Sequence, residues 1–257
     1  GNGDDAEYFL NAMYRNVPLS VPKDVLGPTD NLGADALKLS VGEALGLQVD
    51  YYVLINLQGF SQMINALGGI RLNINSYIPI GGDTDRGIPP KDYLRPGANQ
   101  KLNGYRALWY ARGRYGSSDF DRMDRQRCVI NAIIKQANPT NMLARYEDVV
   151  KAGKQLVYTD MPQEVLPLMV DLSLRVKDAN VRSIVFRHGE AGFYSGDPDF
   201  SRMRKRVKAA LGEAGSPASP TPSKSPTKSS TPTKQSEDVN DTCAYDSKTA
   251  ATARPYR

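Results

Sequence analysis

The spacing of apolar residues changes period several times along the chain, and each change predicts an element. Over residues 4–14, Phe9, Leu10, Met13 and Tyr14 fall at helical spacing behind an acidic first turn, which predicts an amphipathic helix. Over 34–45, Leu37, Val41, Ala44 and Leu45 share one helical face, and Gly46 supplies a C-terminal stop. The short apolar run 51–55 predicts a buried strand. Helical spacing returns over 58–67 through Phe60, Met63, Ile64 and Leu67, and Gly68-Gly69 ends it. The alternation Ile70, Leu72, Ile74 then predicts a strand. Such a strand-helix-strand unit favours a sheet covered by helices, with parallel pairing inferred from the pattern.

Residues 79–97 are rich in Gly, Pro and Asp without a sustained period, so they read as a long surface loop. Further elements follow: a segment at 108–114, a long helix over 119–136, helical stretches near 142–156 and 162–174, and a strand at 181–186. The core is expected to end near Leu211. From 216 to 234 the chain turns to Ser, Thr, Pro and Lys, a composition that cannot bury a core and reads as a disordered spacer. The predicted fold class is α/β, a central β-sheet covered by helices in layers, with a disordered C-terminal tail. The layered domain spans 1–211, the linker 212–240 and the tail 241–257.

With 257 residues, 40% of them hydrophobic, the chain can bury one sizeable core. Its 33 basic and 28 acidic side chains are intermixed, and a net charge of +5 gives little support for a nucleic-acid partner. No apolar run approaches the roughly 20 residues of a membrane-spanning helix. The chain opens Gly1-Asn2-Gly3-Asp4-Asp5 without Met, so an upstream segment carrying any export signal or anchor is expected to have been removed. Cys128 and Cys243 lie far apart and in no Cys-x-x-Cys motif, which argues against zinc. In an exported protein they permit one disulfide; the sequence leaves that pairing and two unpaired thiols both open.

The chemistry concentrates in residues 107–126. Arg112 and Arg114, if extended, point two guanidinium groups to one side. Asp119, Arg122 and Gln126 stand at i, i+3 and i+7, so a helix starting near Ser118 gathers them on one face, with Met123 and Ile130 farther along it. That places polar groups at the helix start and an apolar stripe beyond, which suits a ligand with a phosphate head and a hydrocarbon tail. Guanidinium groups make paired, charge-assisted bonds to phosphate oxygens, and a helix N-terminus adds backbone donors. Asp119 can orient the arginines or act as a base, and Gln126 can donate to a phosphate oxygen. The competing reading is a solvated face of ordinary i,i+3 pairs above a core stripe of Met123, Ile130, Ile133 and Ile134.

In order, Phe60-Ser61-Gln62-Met63-Ile64-Asn65-Ala66-Leu67-Gly68-Gly69-Ile70, Leu102-Asn103-Gly104-Tyr105-Arg106-Ala107-Leu108, Arg112-x-Arg114 and Asp119-x-x-Arg122-x-x-Arg125-Gln126 resemble the LytR-CpsA-Psr family. The resemblance covers roughly 34–134 in motif order and more loosely the helices to about 211. It implies an extracytoplasmic, cell-envelope phosphotransferase whose sheet-and-helix domain holds a polyprenyl phosphate in an apolar tunnel. Its implied partners are a polyprenyl-(pyro)phosphate-linked glycopolymer, a peptidoglycan acceptor, and the membrane through an N-terminal single-pass anchor; no nucleic acid is expected. Arg112, Arg114, Arg122, Arg125 and Gln126 match the pyrophosphate-contacting positions, with Asp119 and Arg122 as the catalytic candidates. The family's Mg2+ ligands and further arginines are expected upstream of this chain, and Asp4 and Asp5 read as helix-starting residues.

Two other features are weaker. His188, the single histidine, has no Ser or Cys motif nearby and reads as structural. Arg202-Met203-Arg204-Lys205-Arg206 lies near the end of the last predicted helix and reads as a complement to its dipole. Two other function classes stay open: a polyprenyl-phosphate binding protein without turnover, and a nucleic-acid-binding regulator, which the carboxylates among the arginines oppose.

Overall fold

The computed structural model describes residues 10–83, 86–136, 157–176, 179–190, 193–194, 196–214 and 237–256. A 3-10 turn at Leu10–Ala12 leads into α1 (Met13–Ser20), followed by α2 (Leu32–Leu45), β1 (Val53–Ile55), α3 (Leu57–Ala66), β2 (Ile70–Ile74), β3 (Ile78–Ile80), β4 (Asp92–Leu94), β5 (Gly97–Leu102), α4 (Gly104–Arg112) and α5 (Asp119–Gln136). Then come β6 (Val157–Thr159), α6 (Leu166–Val176), β7 (Arg182–Ser183), α7 (Phe200–Ala214), β8 (Glu237–Asp238), α8 (Val239–Thr242) and α9 (Ser247–Thr252). The predicted helix near 142–156, the spacer 216–234, and Asp4 and Asp5 lie outside the described residues. The mixed α/β character holds, and the described residues within 1–52 and 184–236 form one compact unit, those within 53–183 and 237–257 another.

In the first unit, Asn31 caps α2 by accepting from the Ala34 N–H at 3.1 Å, and Gly46 closes it in the left-handed region at φ 68°. Pro18 inside α1 has no N–H for the Tyr14 carbonyl. Gly33 lies directly against that carbonyl, where an added Cβ would stand 2.1 Å from the oxygen. The basic run falls in the first half of α7, so the expected dipole role at the helix end is wrong. Arg202 pairs with Asp199 at 3.3 Å, Arg204 donates to the Glu43 carbonyl at 2.9 Å, and buried Arg206 donates to the Val185 carbonyl at 2.9 Å. His188 meets Tyr194 edge-to-face.

In the second unit every described strand pairing is antiparallel and two-stranded: β1 with β6, β2 with β5, β3 with β4, β7 with β8. Parallel pairing across α3 therefore does not occur: β1 and β2 flank that helix but pair with different downstream strands. Alternation defines which face of a strand is buried, not which strand lies beside it. Residues 79–97 are likewise not one loop, since they contribute to the β3–β4 hairpin. Gly81 and Gly82, at φ 78° and 84°, lead out of β3, and the apolar residues of this hairpin are too few to show a period. Ile64, Ile70, Ile74, Ile78, Leu94 and Leu102 form the fully buried centre with Ala107, Tyr110, Cys128 and Val129, each large aliphatic contributing about 1.5–3 kcal/mol by leaving water.

Tyr110 lies on the buried face of α4, with its hydroxyl donating to the Asn73 carbonyl at 3.2 Å. Burial, opposed by Arg125 and reinforced by Asp124, pushes its pKa from 10.0 up to about 12. The folded form thus holds the proton more tightly than the unfolded form. The associated stability is present below pH 10 and is lost as pH rises to about 12, amounting to about 2–3 kcal/mol. Urea titrations should show Tyr110→Phe losing less stability than wild type across that window; equal losses would exclude Tyr110 as the cause.

Within residues 237–256, the expected tail and the last part of the expected linker, α8 packs against α5. Cys128 and Cys243 are disulfide-bonded, with Cα atoms 5.5 Å apart. Glu237 pairs with Arg127 at 2.9 Å, and the Asn240 side chain accepts from Lys135 and from Asn131. Asn73 donates to the Cys243 carbonyl and Asn75 to the Ala244 carbonyl, both at 2.9 Å, and the Tyr93 hydroxyl donates to the Tyr256 carbonyl.

Candidate functional site

The site is built where α4 ends and α5 begins. Asn103 caps α4 by accepting from the Arg106 N–H at 2.9 Å, and the Gly104 N–H donates to Asn65 at 2.7 Å. Gly104 lies so close to Ser61 that a Cβ would stand 1.9 Å from its carbonyl oxygen, so the two resembling motifs meet at this point. α4 ends at Arg112, and the chain turns through Gly113 to Ser118. Ser118 and Asp121 then start α5 with a reciprocal cap: Asp121 accepts from the Ser118 N–H at 2.9 Å and hydroxyl at 2.7 Å, while its own N–H donates to that hydroxyl at 3.1 Å.

The expected face of α5 forms only in part. The Asp119 carboxylate joins Arg114 at 3.1 Å and Arg122 at 3.3 Å, so two guanidinium groups share one carboxylate and leave surplus positive charge. Arg114 and Asp119 are more than half exposed, and such pairs contribute only about 0–1 kcal/mol. The cluster therefore adds little to stability and opens at little cost to a competing anion. Arg122 is less exposed, and its Nε is buried without a hydrogen-bond partner among the described residues.

Arg112 ends a helix instead of lying in an extended segment, so the two-residue spacing does not by itself align it with Arg114. Its guanidinium stacks over the Trp109 ring at 4.9 Å, which holds it exposed on the outer surface of α4. Tyr105 meets the same ring edge-to-face at 6.4 Å. Trp109 was not singled out in the sequence, although its i,i+3 spacing to Arg112 is the signal for such a pair.

Arg125 and Gln126, both expected at pyrophosphate, are engaged with the protein. A helix leaves its last carbonyls unpaired, and α5 supplies the donors for α4. Arg125 Nε donates to the Tyr110 carbonyl at 2.8 Å, and its Nη2 donates to the Gly113 carbonyl and, at 3.4 Å, to the Ser117 hydroxyl. Burial draws the Arg125 pKa below the usual arginine range, countered chiefly by Tyr110. Gln126 is exposed and donates to the Ala111 carbonyl at 3.3 Å. These two residues tie down the end of α4, where Arg112 lies, and the start of the turn that carries Arg114.

Asp121 is held by Ser118, and Asp124 pairs with Arg127. Among the described residues no group of three or more His, Cys, Asp and Glu side chains gathers as a metal-binding set. Among them, too, no helix is long and apolar enough to cross a membrane.

The chain is 29% identical over 168 residues to the polyisoprenyl-teichoic acid–peptidoglycan teichoic acid transferase TagU of Enterococcus faecalis, covering 62% of this chain and 52% of that protein. It is 27% identical over 191 residues to the biofilm regulatory protein A of Streptococcus mutans, covering 70% of this chain and 46% of that protein. The chain spans about half the length of the curated relatives it matches. Among solved structures, that of Bacillus subtilis TagV aligns with a TM-score of 0.48 at 23% identity, covering 76% of this chain and 78% of the other. The LytR_cpsA_psr family model matches residues 5–192, and the chain belongs to the LytR-CpsA-Psr family.

Proposed function

We propose that the protein carrying this chain transfers a glycopolymer from a polyprenyl-pyrophosphate carrier to a sugar hydroxyl of peptidoglycan, outside the cytoplasm at the cell envelope. The observation that carries this reading is the Arg114–Asp119–Arg122 cluster at the start of α5, with Arg112 at the end of α4. The acceptor oxygen attacks the phosphorus that bears the glycan. A phosphodiester bond forms to the acceptor, the bond to the bridging oxygen breaks, and polyprenyl phosphate departs. Arg114 and Arg122 stabilise charge on the phosphate oxygens, for which paired guanidinium donors are suited. Asp119 orients both arginines and, once a phosphate takes its place on one of them, is free to accept the acceptor proton. A single-pass anchor, Mg2+ and its ligands belong to this proposal as features of the whole protein.

Transfer from a lipid-pyrophosphate-linked oligosaccharide to peptidoglycan, measured with the whole protein, tests the assignment. Arg122→Ala and Arg114→Ala should each lower kcat/KM about a hundredfold, about 2.7 kcal/mol of transition-state stabilisation. Unchanged transfer in both variants would sink the site. Retention of the lipid by wild type with no transfer would identify a carrier-binding protein instead.

A further inference from the structure

The residues that close the described chain reach the arginine turn. Gly116 lies in that turn, between Arg114 and Ser118, at φ 68°, and the Ser117 N–H donates to the Arg114 carbonyl at 2.9 Å to close it. The Tyr256 ring lies flat against Gly116: an added Cβ there would stand 2.2 Å from Tyr256 Cγ and 2.4 and 2.5 Å from its two Cδ atoms. Glycine is required twice at this position, by its backbone and by the ring. Tyr256 is itself anchored, because its carbonyl accepts from the Tyr93 hydroxyl and Tyr93 packs edge-to-face on Tyr77 at 6.1 Å. Upstream, Asn75 holds Asp246 and Ala244, and the disulfide holds Cys243. The segment is thus tied down at intervals before it arrives at the turn.

We propose that Tyr256 is a positioning residue of the phosphate site: its ring holds the Gly113–Ser118 turn so that Arg114 faces Asp119 and Arg122. This role rests on the phosphate-site reading above. Tyr256 touches no reacting atom; it restricts the turn that carries Arg114. The anchoring bond comes from the backbone carbonyl of residue 256 and the packing from its ring, so the Tyr256 hydroxyl is dispensable.

Isothermal titration calorimetry of the oxidised chain with geranylgeranyl pyrophosphate gives an affinity without any turnover. Geranylgeraniol serves as the uncharged control. Tyr256→Ala should weaken pyrophosphate binding about tenfold and leave geranylgeraniol binding unchanged, because a displaced turn affects only the charged head. Tyr256→Phe should bind both probes as wild type does.

Arg114→Ala separates the two ideas. If Arg114→Ala binds pyrophosphate as tightly as wild type, the phosphate site fails and the positioning role fails with it. If Arg114→Ala loses affinity while Tyr256→Ala keeps it, or Tyr256→Ala loses both probes equally, only the positioning role is overturned. Should Tyr256→Ala not fold, Tyr93→Phe decides: it removes only the anchoring hydroxyl and should weaken the pyrophosphate about threefold, and no change would overturn the role.

Discussion

Reduction of Cys128–Cys243 is expected to cost about 4–5 kcal/mol of folding stability. The bond closes a separation of 115 residues, and the loop-entropy relation for a loop of that length gives roughly this value. Its location supports the upper part of the usual range. Cys128 is buried among Val129, Ala132 and Leu102 in the centre of the second unit, and Cys243 packs against the same cluster. After reduction the two sulfurs remain among apolar neighbours, so the native contacts change little and the loss lies in the freed unfolded chain. The remaining ties of the C-terminal segment, such as Arg127–Glu237 and the Asn73 and Asn75 bonds, are partly exposed and contribute about 1 kcal/mol each at most. They do not compensate. Urea midpoints of the oxidised chain, the reduced chain and the double variant Cys128→Ala/Cys243→Ala would measure this. Coincident midpoints for oxidised and reduced protein would remove the disulfide from the account of stability.

The same helix shows what a sequence can and cannot disclose. The bounds of α5, 119–136, were legible because Ser118, Asp119 and Asp121 mark its start and the charge and apolar spacing persist for five turns. β2 was legible because Ile70, Leu72 and Ile74 alternate cleanly. Pairing was not, since alternation specifies a buried face and leaves the neighbour to long-range packing. The β3–β4 hairpin was hidden by its own turn chemistry: Gly81, Gly82, Pro89 and Pro90 read as loop, while the few residues Ile78, Pro79, Ile80 and Leu94 reach the core. Within the site, Asp119 with Arg114 and Arg122 follows from spacing and charge. The division of labour among the arginines does not, because an arginine that grips a ligand and one that grips a carbonyl are the same letter. What separates them is where the preceding helix leaves unpaired carbonyls. That depends on α4 ending at Arg112, two residues earlier than the predicted segment 108–114.

Arg125→Ala is therefore expected to destabilise the fold by about 3–5 kcal/mol, while Arg122→Ala should change stability by less than about 1 kcal/mol. Arg125 is buried, and its removal strands the Tyr110 and Gly113 carbonyls, each carrying a desolvation cost of about 1–3 kcal/mol when left unpaired. Loss of its aliphatic stem adds a cavity beneath the turn. Arg125→Lys should recover only part of this, since an ammonium cannot span both carbonyls as the guanidinium fork does. Ligand affinity should fall in Arg125→Ala as well, because the turn bearing Arg114 loses its support, whereas in Arg122→Ala affinity should fall with the fold intact. Urea denaturation and prenyl pyrophosphate binding, measured on both variants, divide the two roles. A stable Arg125→Ala that loses only the ligand would restore Arg125 to the pyrophosphate, as its place in the motif first suggested. A destabilised Arg125→Ala beside a stable, non-binding Arg122→Ala would make one of these arginines the support of the site and the other its contact.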